Sequence, residues 1–358
     1  MAGGGTGGHV IPAVAVAREL KSRGHQPIFV GTRTGFEAKL VPASGFTLEF
    51  IEIGGLKRVG AAQTLRTLAQ LPASIATSFS LIARFQPSAI FSMGGYAAGP
   101  VTLAAWFNYV PIVIMEPNAV PGLANRMMGR FAARALVSFT ETQRFFPAGR
   151  SEITGLPVRC EFFNLGPKPQ NDRLTILVTG GSRGSRTLNN ATRDSWPLLR
   201  DAPFHVRLIH QTGTEAHEAI ARDFANAGVD GEVVPFISDM PAAFAQADLI
   251  VCRSGAGAVA ELAAAGKPSI LVPFPFAADD HQLRNAEAFA KAGAARLVLD
   301  REMTGQRLSE EISRLAANPA ELQQMGAKAR GFAHPNAAQR AADVLQEVSA
   351  PKGPARHV

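Results

Sequence analysis

The sequence predicts an α/β protein with two Rossmann-like domains in tandem. Short apolar runs alternate with longer helical patterns along the whole chain, which is typical of doubly wound parallel sheets. The alternation lapses once, in a polar connector rich in Gly and Pro around residues 155–172, and then resumes. A length of 358 residues suits two domains of ordinary size. We therefore expect an N-terminal domain over 1–156, a linker over 157–172, a C-terminal domain over 173–335, and a helical segment, 336–358, that packs back toward the first domain.

The composition narrows the class of protein further. With 46% hydrophobic and 18% charged residues, the chain is typical of a globular protein and not of a disordered one. Its two cysteines, Cys160 and Cys252, are far apart and lack metal-ligand spacing, so neither a disulfide framework nor a structural zinc site is expected. No signal-peptide pattern opens the chain, and a reducing cytoplasm fits these features.

The chain opens on a glycine-rich run, residues 3–8, that leads into the first helix at His9. Because such a loop has almost no side chains, its backbone N–H groups can approach an anion or a sugar. A β-strand normally precedes such a loop, but here only Met1 and Ala2 stand before it. We therefore expect the N-terminal sheet to lack its first, central strand, as after a misplaced start codon or a truncation.

The rest of the first half alternates helices and strands. No charge lies between Arg84 and Glu116, a stretch long enough to span a bilayer, but Gly and Pro residues interrupt it. We interpret this stretch as strand, glycine loop, helix and strand, and predict no transmembrane helix. The predicted helices of this half are 12–22, 35–44, 64–85, 101–107 and 123–131, and the predicted strands are 27–31, 48–53, 89–92, 112–115 and 135–138.

A second series of strands and helices follows the linker. Its first strand ends at Thr179 and delivers a loop over 180–185, and Gly266 is a good C-cap for the helix before it. Two helices are expected to complete the chain. Ligands of such sheets bind at the carboxyl ends of the strands, here in a cleft between the domains. The predicted strands are 174–179, 205–210, 232–237, 247–252, 269–274 and 295–299, and the predicted helices include 214–227, 258–265, 281–292 and 337–349.

The charge distribution indicates an anionic partner. Residues 1–150 hold 14 Lys and Arg against 6 Asp and Glu, whereas the rest of the chain is nearly neutral. Nucleic acid is not expected as a partner, because basic and aromatic residues are not interleaved. Apolar residues rimmed by cations predict either a helix that lies on an anionic membrane or a core-facing helix. The cations are Lys57, Arg58, Arg66 and Arg84, and the apolar residues are Leu65, Leu68, Leu71, Ile75, Phe79, Leu81 and Ile82.

The opening loop matches the dinucleotide fingerprint by spacing, as Gly3-x-Gly5-x-x-Gly8. The acidic ribose ligand expected after the next strand is missing, since that strand ends in Gly31-Thr32-Arg33. NAD is therefore disfavoured, and NADP stays open through Arg33. A P-loop sequence does not occur anywhere in the chain.

Three further features of the first half could carry chemistry. His9 is either a helix-entry residue or a base that takes a proton from an acceptor hydroxyl. Gly94-Gly95-Tyr96 forms a second glycine loop after a strand, at the same edge of the sheet. Glu116-Pro117-Asn118 ends another strand, and the Glu116 carboxylate is either solvated there or directed into the cleft.

The second half offers a site for a nucleotide diphosphate. The loop 180–185 links a strand to a helix, as an anion-binding loop does. The run Arg253–Ala258 begins another helix, whose N–H groups suit a pyrophosphate, and Glu261 could accept hydrogen bonds from a ribose diol or be solvated. Asp279-Asp280-His281 could bind a metal, but capping of the next helix is the commoner role of such carboxylates.

Together these motifs closely resemble the MurG family of glycosyltransferases, over nearly the whole chain and in the right order. The family implies a GT-B fold and inverting transfer of N-acetylglucosamine from UDP-N-acetylglucosamine to the 4-hydroxyl of the muramyl sugar of lipid I. The products are lipid II and UDP, for cell-wall peptidoglycan and hence for cell shape and division. The motifs are Gly3–Val10, Ser92–Tyr96, Glu116–Asn118, Gly180–Ser185, Arg253–Ala256 and Asp279–Gln282.

The resemblance also implies roles for particular residues. His9 is the candidate catalytic base and Glu116 a catalytic residue that assists it. Thr6, Gly7, Gly8 and Asn118 would surround the transferred sugar and the acceptor. Glu261 would bind ribose, Ile237 uracil and Gln282 the donor sugar. The nucleotide diphosphate would lie at Arg159, Ser182, Gly255, Ala256, Gly257, Ala258, Val259 and Ala260.

The resemblance implies no cofactor and no metal, since dipoles and Arg can stabilise the leaving diphosphate. It implies a peripheral protein on the cytoplasmic face of the bacterial inner membrane, whereas protein partners stay unknown. Met115 and Pro117 depart from the family's usual His-Glu-Gln-Asn, and the missing strand is the larger departure. Two alternatives stay open: a related GT-B enzyme with another lipid or small-molecule acceptor, and a catalytically impaired nucleotide-sugar binding protein.

Overall fold

The chain forms two compact units, each built on its own parallel sheet. The computed structural model describes residues 1–4, 7–54, 61–166, 168 and 172–350, and the backbone alone of 61–66 and 68. One unit comprises Met1–Val158 together with the residues from Asn336 onward, and the other comprises Arg159–Pro335. The division therefore falls at the beginning of the predicted linker.

Over the part of the chain that the structure describes, the sheet of the first unit has seven parallel strands. They are β1 (Ala2–Gly3), β2 (Ile28–Gly31), β3 (Thr47–Phe50), β4 (Ile90–Gly94), β5 (Ile112–Glu116), β6 (Arg134–Val137) and β7 (Ser151–Ile153). Their spatial order is β3-β2-β1-β4-β5-β6-β7. The order reverses between β1 and β4, and ligands of open α/β sheets bind at such a switch point. Both β4 and β5 are buried along their whole length, which explains their continuous apolar sequences.

The strand β1 shows that the prediction of a missing central strand is wrong. Ala2 lies opposite Val30 of β2, and β4 runs along its other side. The pairing reaches the first residue, because the Val30 N–H donates to the Met1 carbonyl at 2.9 Å. Gly3 is needed at its position, since a Cβ there would lie 2.8 Å from the Cβ of Met93. A strand of two residues is too short to be recognised from its sequence.

Helices cover this sheet, and the first begins earlier than predicted. They are α1 (Gly7–Ser22), α2 (Glu37–Ala43), α3 (Ala61–Phe85), α4 (Ala98–Phe107) and α5 (Leu123–Met128). On α3, the structure favours the core-facing alternative for the described apolar residues: Leu71, Phe79 and Leu81 pack against the core and Ile82 is buried. The predicted cations Lys57 and Arg58 lie outside the described residues.

The described residues of the second unit form a sheet of six parallel strands. They are β8 (Arg173–Thr179), β9 (His205–Gln211), β10 (Asp230–Val234), β11 (Leu249–Cys252), β12 (Ser269–Leu271) and β13 (Ala295–Leu297). Their spatial order is β10-β9-β8-β11-β12-β13, so the switch point lies between β8 and β11. Its core combines β-strand residues such as Ile176 and Val251 with helix residues such as Leu188 and Ile312.

The helices of the second unit include one that the sequence analysis missed. They are α6 (Arg186–Arg200), α7 (Thr214–Ala225), α8 (Met240–Gln246), α9 (Ala256–Ala265), α10 (His281–Lys291), α11 (Gly305–Ala316) and α12 (Pro319–Arg330). With α13 (Ala337–Ser349), three α-helices follow β13 within the described residues, where two were predicted. Gly266 ends α9 in the left-handed conformation, with φ +61°, as predicted for a C-cap.

The last helix, α13, belongs to the first unit and packs against α1. Arg23, the residue that follows α1, donates to the Asp343 carboxylate at 2.6 Å. Arg340 donates to both carboxylate oxygens of Glu152, in the middle of β7, at 2.6 and 2.9 Å. In the described ranges, no helix is long and apolar enough to cross a membrane.

Candidate functional site

The first glycine loop lies at the carboxyl end of β1, at the switch point of the first sheet. Gly7 and Gly8 form the first turn of α1, whereas Thr6 lies outside the described residues. His9 follows in the same turn, and its Nδ1 lies 3.1 Å from the Gly4 carbonyl oxygen. A carbonyl can only accept, so the Nδ1 atom carries the proton of this hydrogen bond and the neutral ring has its basic lone pair on Nε2.

The second glycine loop, at the end of β4, touches the first one. Gly94 and Gly95 both have φ +80°, a conformation that glycine adopts without strain. A Cβ on Gly95 would lie 2.8 Å from the Gly4 carbonyl oxygen and 3.4 Å from the His9 Nδ1. The two glycine motifs therefore meet at His9, as their positions after neighbouring strands predict.

Glu116, at the end of β5, is buried and receives four hydrogen bonds. Its Oε1 accepts from the Asn118 backbone and side-chain N–H groups, both at 3.0 Å. Its Oε2 accepts from the Gly122 backbone at 3.1 Å and from the Asn125 side chain at 3.0 Å. Burial raises the pKa of Glu116, and these four bonds act in the opposite direction. The carboxylate thus holds the loop 116–122 together, and the predicted assistance to His9 stays a prediction.

Asn125, on α5, is a site residue that the sequence analysis missed. Its side chain donates to Glu116 and to the Met115 carbonyl and accepts from the Ser92 hydroxyl at 3.3 Å. The Ser92 hydroxyl in turn accepts from the Gly94 N–H at 3.2 Å. Asn125 therefore connects the second glycine loop to the Glu116 loop. A polar residue in a short, largely apolar helix was the only signal of this role in the sequence.

In the second unit, the loop 180–185 joins β8 to α6 and is shaped by its glycines. Gly184 has φ +73°, and a Cβ there would lie 1.8 Å from the Thr212 carbonyl oxygen. Ser182 is exposed at the tip of the loop. Ser185 caps α6 by accepting from the Leu188 N–H at 3.3 Å. The loop therefore exposes Ser182, while Gly184 packs against Thr212, the residue that follows β9.

Gln211, the last residue of β9, is a second residue that the sequence analysis missed. Its side-chain amide donates to the Gly181 carbonyl at 2.8 Å and accepts from the Ile237 N–H at 2.9 Å. It is buried, whereas Ile237 itself is partly exposed. Gln211 thereby joins the loop 180–185 to the segment that contains Ile237, the predicted uracil residue. The polar end of an apolar strand was its only signal.

The helix α9 begins with the predicted diphosphate residues. Gly255 is its N-cap and makes no side-chain capping bond, and the residues of the first turn, Ala256, Gly257 and Ala258, are only partly buried. The positive end of the helix dipole at this turn suits an anion. Val259 is buried and Ala260 is partly exposed.

Glu261 and Arg159 interact electrostatically beside this helix start. Desolvation raises the pKa of the Glu261 carboxyl to about 7, and the Arg159 charge works against this shift. Arg159 is exposed, and its guanidinium lies over the Phe162 ring at 5.0 Å. A carboxyl group with its pKa near neutrality is a candidate for a ligand-binding role.

Arg253 connects the loops of the second unit. It donates to the Ser185 hydroxyl at 2.6 Å, to the Asp300 carboxylate at 2.5 Å and to two backbone carbonyls. The side-chain oxygen of Gln282, on α10, accepts from the Phe274 N–H at 3.0 Å. The backbone carbonyl of Gln282 accepts from the Ser254 hydroxyl at 2.8 Å. These bonds bring the predicted donor-sugar residue next to the start of α9.

The predicted helix cap at Asp279-Asp280 is wrong. The helix α10 begins at His281, and Asp280, at its N-cap, has φ +52° and makes no side-chain capping bond. Among the described residues, no group of three or more His, Cys, Asp or Glu side chains is arranged to hold a metal ion.

Comparison with known proteins identifies the class to which these two units belong. The N-terminal domain of glycosyltransferase family 28 matches residues 1–137, and the C-terminal domain of that family matches residues 175–343. A transferase of Solibacter usitatus is 61% identical over 351 residues, which cover 98% of this chain and 96% of the relative. One of Myxococcus xanthus is 40% identical over 97% of this chain and 92% of its own. Both are named UDP-N-acetylglucosamine–N-acetylmuramyl-(pentapeptide) pyrophosphoryl-undecaprenol N-acetylglucosamine transferases.

Solved structures of glycosyltransferases resemble this chain as well. The crystal structure of Acinetobacter baumannii MurG superposes with a TM-score of 0.81 at 34% identity, covering 96% of this chain and 97% of that one. A glycosyltransferase of kitacinnamycin, at 19% identity and TM-score 0.73, shares the fold. The chain is thus a two-domain glycosyltransferase with the α/β GT-B fold. It belongs to glycosyltransferase family 28, and within that family to the MurG group.

Proposed function

We propose that this chain transfers N-acetylglucosamine from UDP-N-acetylglucosamine to the 4-hydroxyl of the muramyl sugar of lipid I, giving lipid II and UDP for peptidoglycan synthesis. The observation that carries this function is the 61% identity, over 98% of the chain, to a relative that bears this activity in its name. An identity at this level over both units favours it over a related enzyme with another acceptor. The presence of the central strand β1 favours an active transferase over a catalytically impaired nucleotide-sugar binding protein.

The reaction exchanges one bond for another at the anomeric carbon. The acceptor oxygen forms a bond to C1 of N-acetylglucosamine, the bond from C1 to the diphosphate oxygen breaks, and the configuration at C1 inverts. The hydroxyl proton passes to a base, for which we propose His9. With Nδ1 bonded to the Gly4 carbonyl, its basic lone pair lies on Nε2. UDP leaves with the bonding electrons.

The donor would bind the second unit. The N–H groups at the start of α9 and the hydroxyl of Ser182 would hold the diphosphate, with Arg159 beside it. Glu261 would accept hydrogen bonds from the ribose hydroxyls, and the segment at Ile237 would meet uracil. Gln282 would contact the donor sugar. Because the helix dipole and Arg159 can stabilise the leaving charge, we expect the rate to be unchanged by EDTA.

The acceptor would bind the first unit near Gly7, Gly8 and Asn118. The Glu116 carboxylate accepts from Asn118 through both its backbone and its side chain. Glu116 would therefore serve the reaction by fixing Asn118 against the acceptor, and it would not itself take the proton. A buried carboxylate that already accepts four hydrogen bonds has little capacity for another donor.

An exposed aromatic surface on the first unit would contact the anionic inner membrane from its cytoplasmic face. Trp106, Phe107 and Tyr109, at the end of α4, are 40%, 56% and 96% exposed. Trp106 packs on Phe131 at 4.5 Å, and the Arg130 guanidinium lies over the Phe131 ring at 4.6 Å. Aromatic side chains next to cations favour the headgroup region of an anionic bilayer. Vesicles with phosphatidylglycerol should bind the protein, and W106S/F107S should weaken that binding without changing the affinity for UDP.

An assay with purified protein tests the reaction. With UDP-N-acetylglucosamine and lipid I, we expect release of UDP and a disaccharide-linked lipid product, and no release when lipid I is omitted. Other polyprenyl glycolipids and small hydroxylated acceptors should be poor competitors. Equal use of such acceptors would point to a related enzyme, and binding of UDP without turnover would point to a nucleotide-sugar binding protein.

A further inference from the structure

Glu37 is a fully buried carboxylate next to the first glycine loop. It is the first residue of α2 and is 0% exposed, although charged side chains are rarely buried without specific partners. Its Oε1 accepts from the Thr32 backbone N–H at 2.8 Å and from the Thr32 hydroxyl at 2.9 Å. Thr32 is itself buried. Two buried polar side chains that bond to each other just after β2 indicate a specific role for the Glu37 carboxylate.

Three glycines from different segments close around this carboxylate. A Cβ on Gly4 would lie 2.3 Å from the Glu37 Oε1, and one on Gly35 would lie 2.1 Å from the Oε2. A Cβ on Gly31 would lie 2.4 Å from the Glu37 Cγ. The Glu37 side chain therefore fills the volume that ordinary side chains would need, and the backbone at Gly4 packs directly on it.

Gly4 connects the carboxylate to His9. Its carbonyl oxygen accepts from the His9 Nδ1 at 3.1 Å, and Gly95 packs closely on the same carbonyl from the second glycine loop. The Tyr96 hydroxyl lies 3.4 Å from the Thr32 hydroxyl, so the second loop contacts the other partner of the carboxylate as well. The peptide at Gly4 is thus held between Glu37 on one side and Gly95 on the other.

We propose that Glu37 is a positioning residue for His9. The buried carboxylate fixes the Gly4 peptide, and the Gly4 carbonyl fixes the tautomer and the orientation of the imidazole that takes the acceptor proton. Glu37 itself does not touch a substrate in this arrangement. The inference rests on the proposed function, because it assigns Glu37 to the same reaction.

A set of matched variants tests this role. Glu37→Gln keeps the shape of the side chain but removes its charge. A base displaced from its productive position can lose up to about 100-fold in rate, so we expect Glu37→Gln to lower kcat by about 10-fold to 100-fold. The KM for UDP-N-acetylglucosamine should not change, because the donor residues belong to the second unit. Glu141→Gln, an exposed glutamate of the same unit, should leave both constants unchanged.

The decisive measurement repeats Glu37→Gln in a His9→Ala background. If Glu37 acts through His9, kcat falls no further there. An equal loss of kcat in both backgrounds, or a parallel rise of the donor KM, would assign Glu37 to general folding and overturn the proposal. Should Glu37→Gln not fold, Thr32→Val removes the hydroxyl donor alone and should give a smaller loss with the same dependence on His9.

These outcomes are separable from failure of the proposed function. If the unaltered protein releases no UDP with lipid I, the proposed reaction is wrong and Glu37 has no role in it. If the unaltered protein is active, His9→Ala is impaired and Glu37→Gln matches the unaltered protein, the reaction stands and the positioning role is wrong.

Discussion

The two units hold their glycine loops by chemically opposite means. In the first unit, the buried carboxylates of Glu37 and Glu116 accept hydrogen bonds from the segments that surround the loops. In the second, the amide of Gln211 and the guanidinium of Arg253 do this, while the start of α9 carries no capping side chain. Buried negative charge opposes the binding of a further anion, whereas an uncapped helix start favours it. This difference fits the proposed division of labour, in which the first unit would hold the acceptor hydroxyl near His9 and the second unit would hold the diphosphate of the donor.

This contrast also explains why the first loop can match the dinucleotide fingerprint without being a pyrophosphate-binding loop. The spacing Gly3-x-Gly5-x-x-Gly8 is that of a pyrophosphate-binding turn, but the Glu37 carboxylate packs against Gly4. No acidic residue stands at the end of β2, but Glu37, five residues beyond Thr32, packs against the loop at Gly4. Glycine spacing alone does not distinguish the two kinds of loop, because the distinction lies in the residue behind them.

The largest effect should come from His9→Ala. A general base contributes about 100-fold to 10,000-fold, so we expect kcat to fall by that factor with little change in the donor KM. Steady-state UDP release measures both constants. His25→Ala, an exposed histidine of the same unit, is the matched control. A loss below tenfold would assign His9 to binding, and the general base would then have to be sought elsewhere.

Glu116→Ala should come next, through stability. The substitution leaves the Asn118, Gly122 and Asn125 donors without their acceptor in a buried loop, and each unsatisfied donor costs about 1–3 kcal/mol. Urea unfolding should therefore show a lower free energy of unfolding than for Glu141→Ala. An unchanged free energy of unfolding would mean that the Glu116 carboxylate does not hold its loop. The contrast between the carboxylates of the first unit and the cationic and amide groups of the second would then fail.

Much of the fold was predictable from local patterns, and the exceptions have physical causes. The helix 337–349 agrees residue for residue, because its amphipathic pattern is long and bounded by polar segments. The strand β1 was missed because pairing with β2 and β4, not its own two residues, defines it. The strand predicted over 232–237 occurs at Asp230–Val234, since Gly231, with φ +140°, is tolerated in the ladder and Phe236 is exposed.

The site was predictable only where its residues stand in glycine motifs or at strand ends. His9 and the start of α9 carry such signals. Glu37 and Asn125 carry no such signal, and Gln211 has only its place at the end of β9; each acts by bonding to backbone that comes near only in the folded chain. Residues that hold other residues in place have no spacing rule, so their roles depend on tertiary structure.

Glu261→Ala tests the second unit through binding. Loss of a charged hydrogen-bond acceptor is worth roughly 1.5–3 kcal/mol, so the donor KM should rise by about 10-fold to 100-fold with kcat little changed. Since burial raises the pKa of Glu261 from 4.5 to about 7, its carboxylate forms as the pH rises through 7, and the donor KM should fall over that range. Glu261→Gln should abolish this pH dependence.

The same pKa shift has a consequence for stability with a definite sign. Between pH 4.5 and about 7, the folded protein retains a proton on Glu261 that the unfolded chain has lost. The contribution of Glu261 to the free energy of unfolding therefore decreases as the pH rises across this window. A Glu261→Gln variant should lack this decrease, whereas an increase of stability with pH at this residue would contradict the assigned environment of α9.

The smallest effect should come from Arg340→Ala, at the ion pair that joins α13 to Glu152. The two side chains are 35% and 38% exposed, and exposed ion pairs contribute up to about 1 kcal/mol, with screening by salt. The apolar face of α13, with Ala341, Val344 and Leu345 buried, supplies the larger part of the docking energy. Urea unfolding of Arg340→Ala should thus differ little from that of the intact chain, and less still in 1 M salt. A loss as large as that of Glu116→Ala would show that exposed charges, and not only buried carboxylates, hold the first unit together.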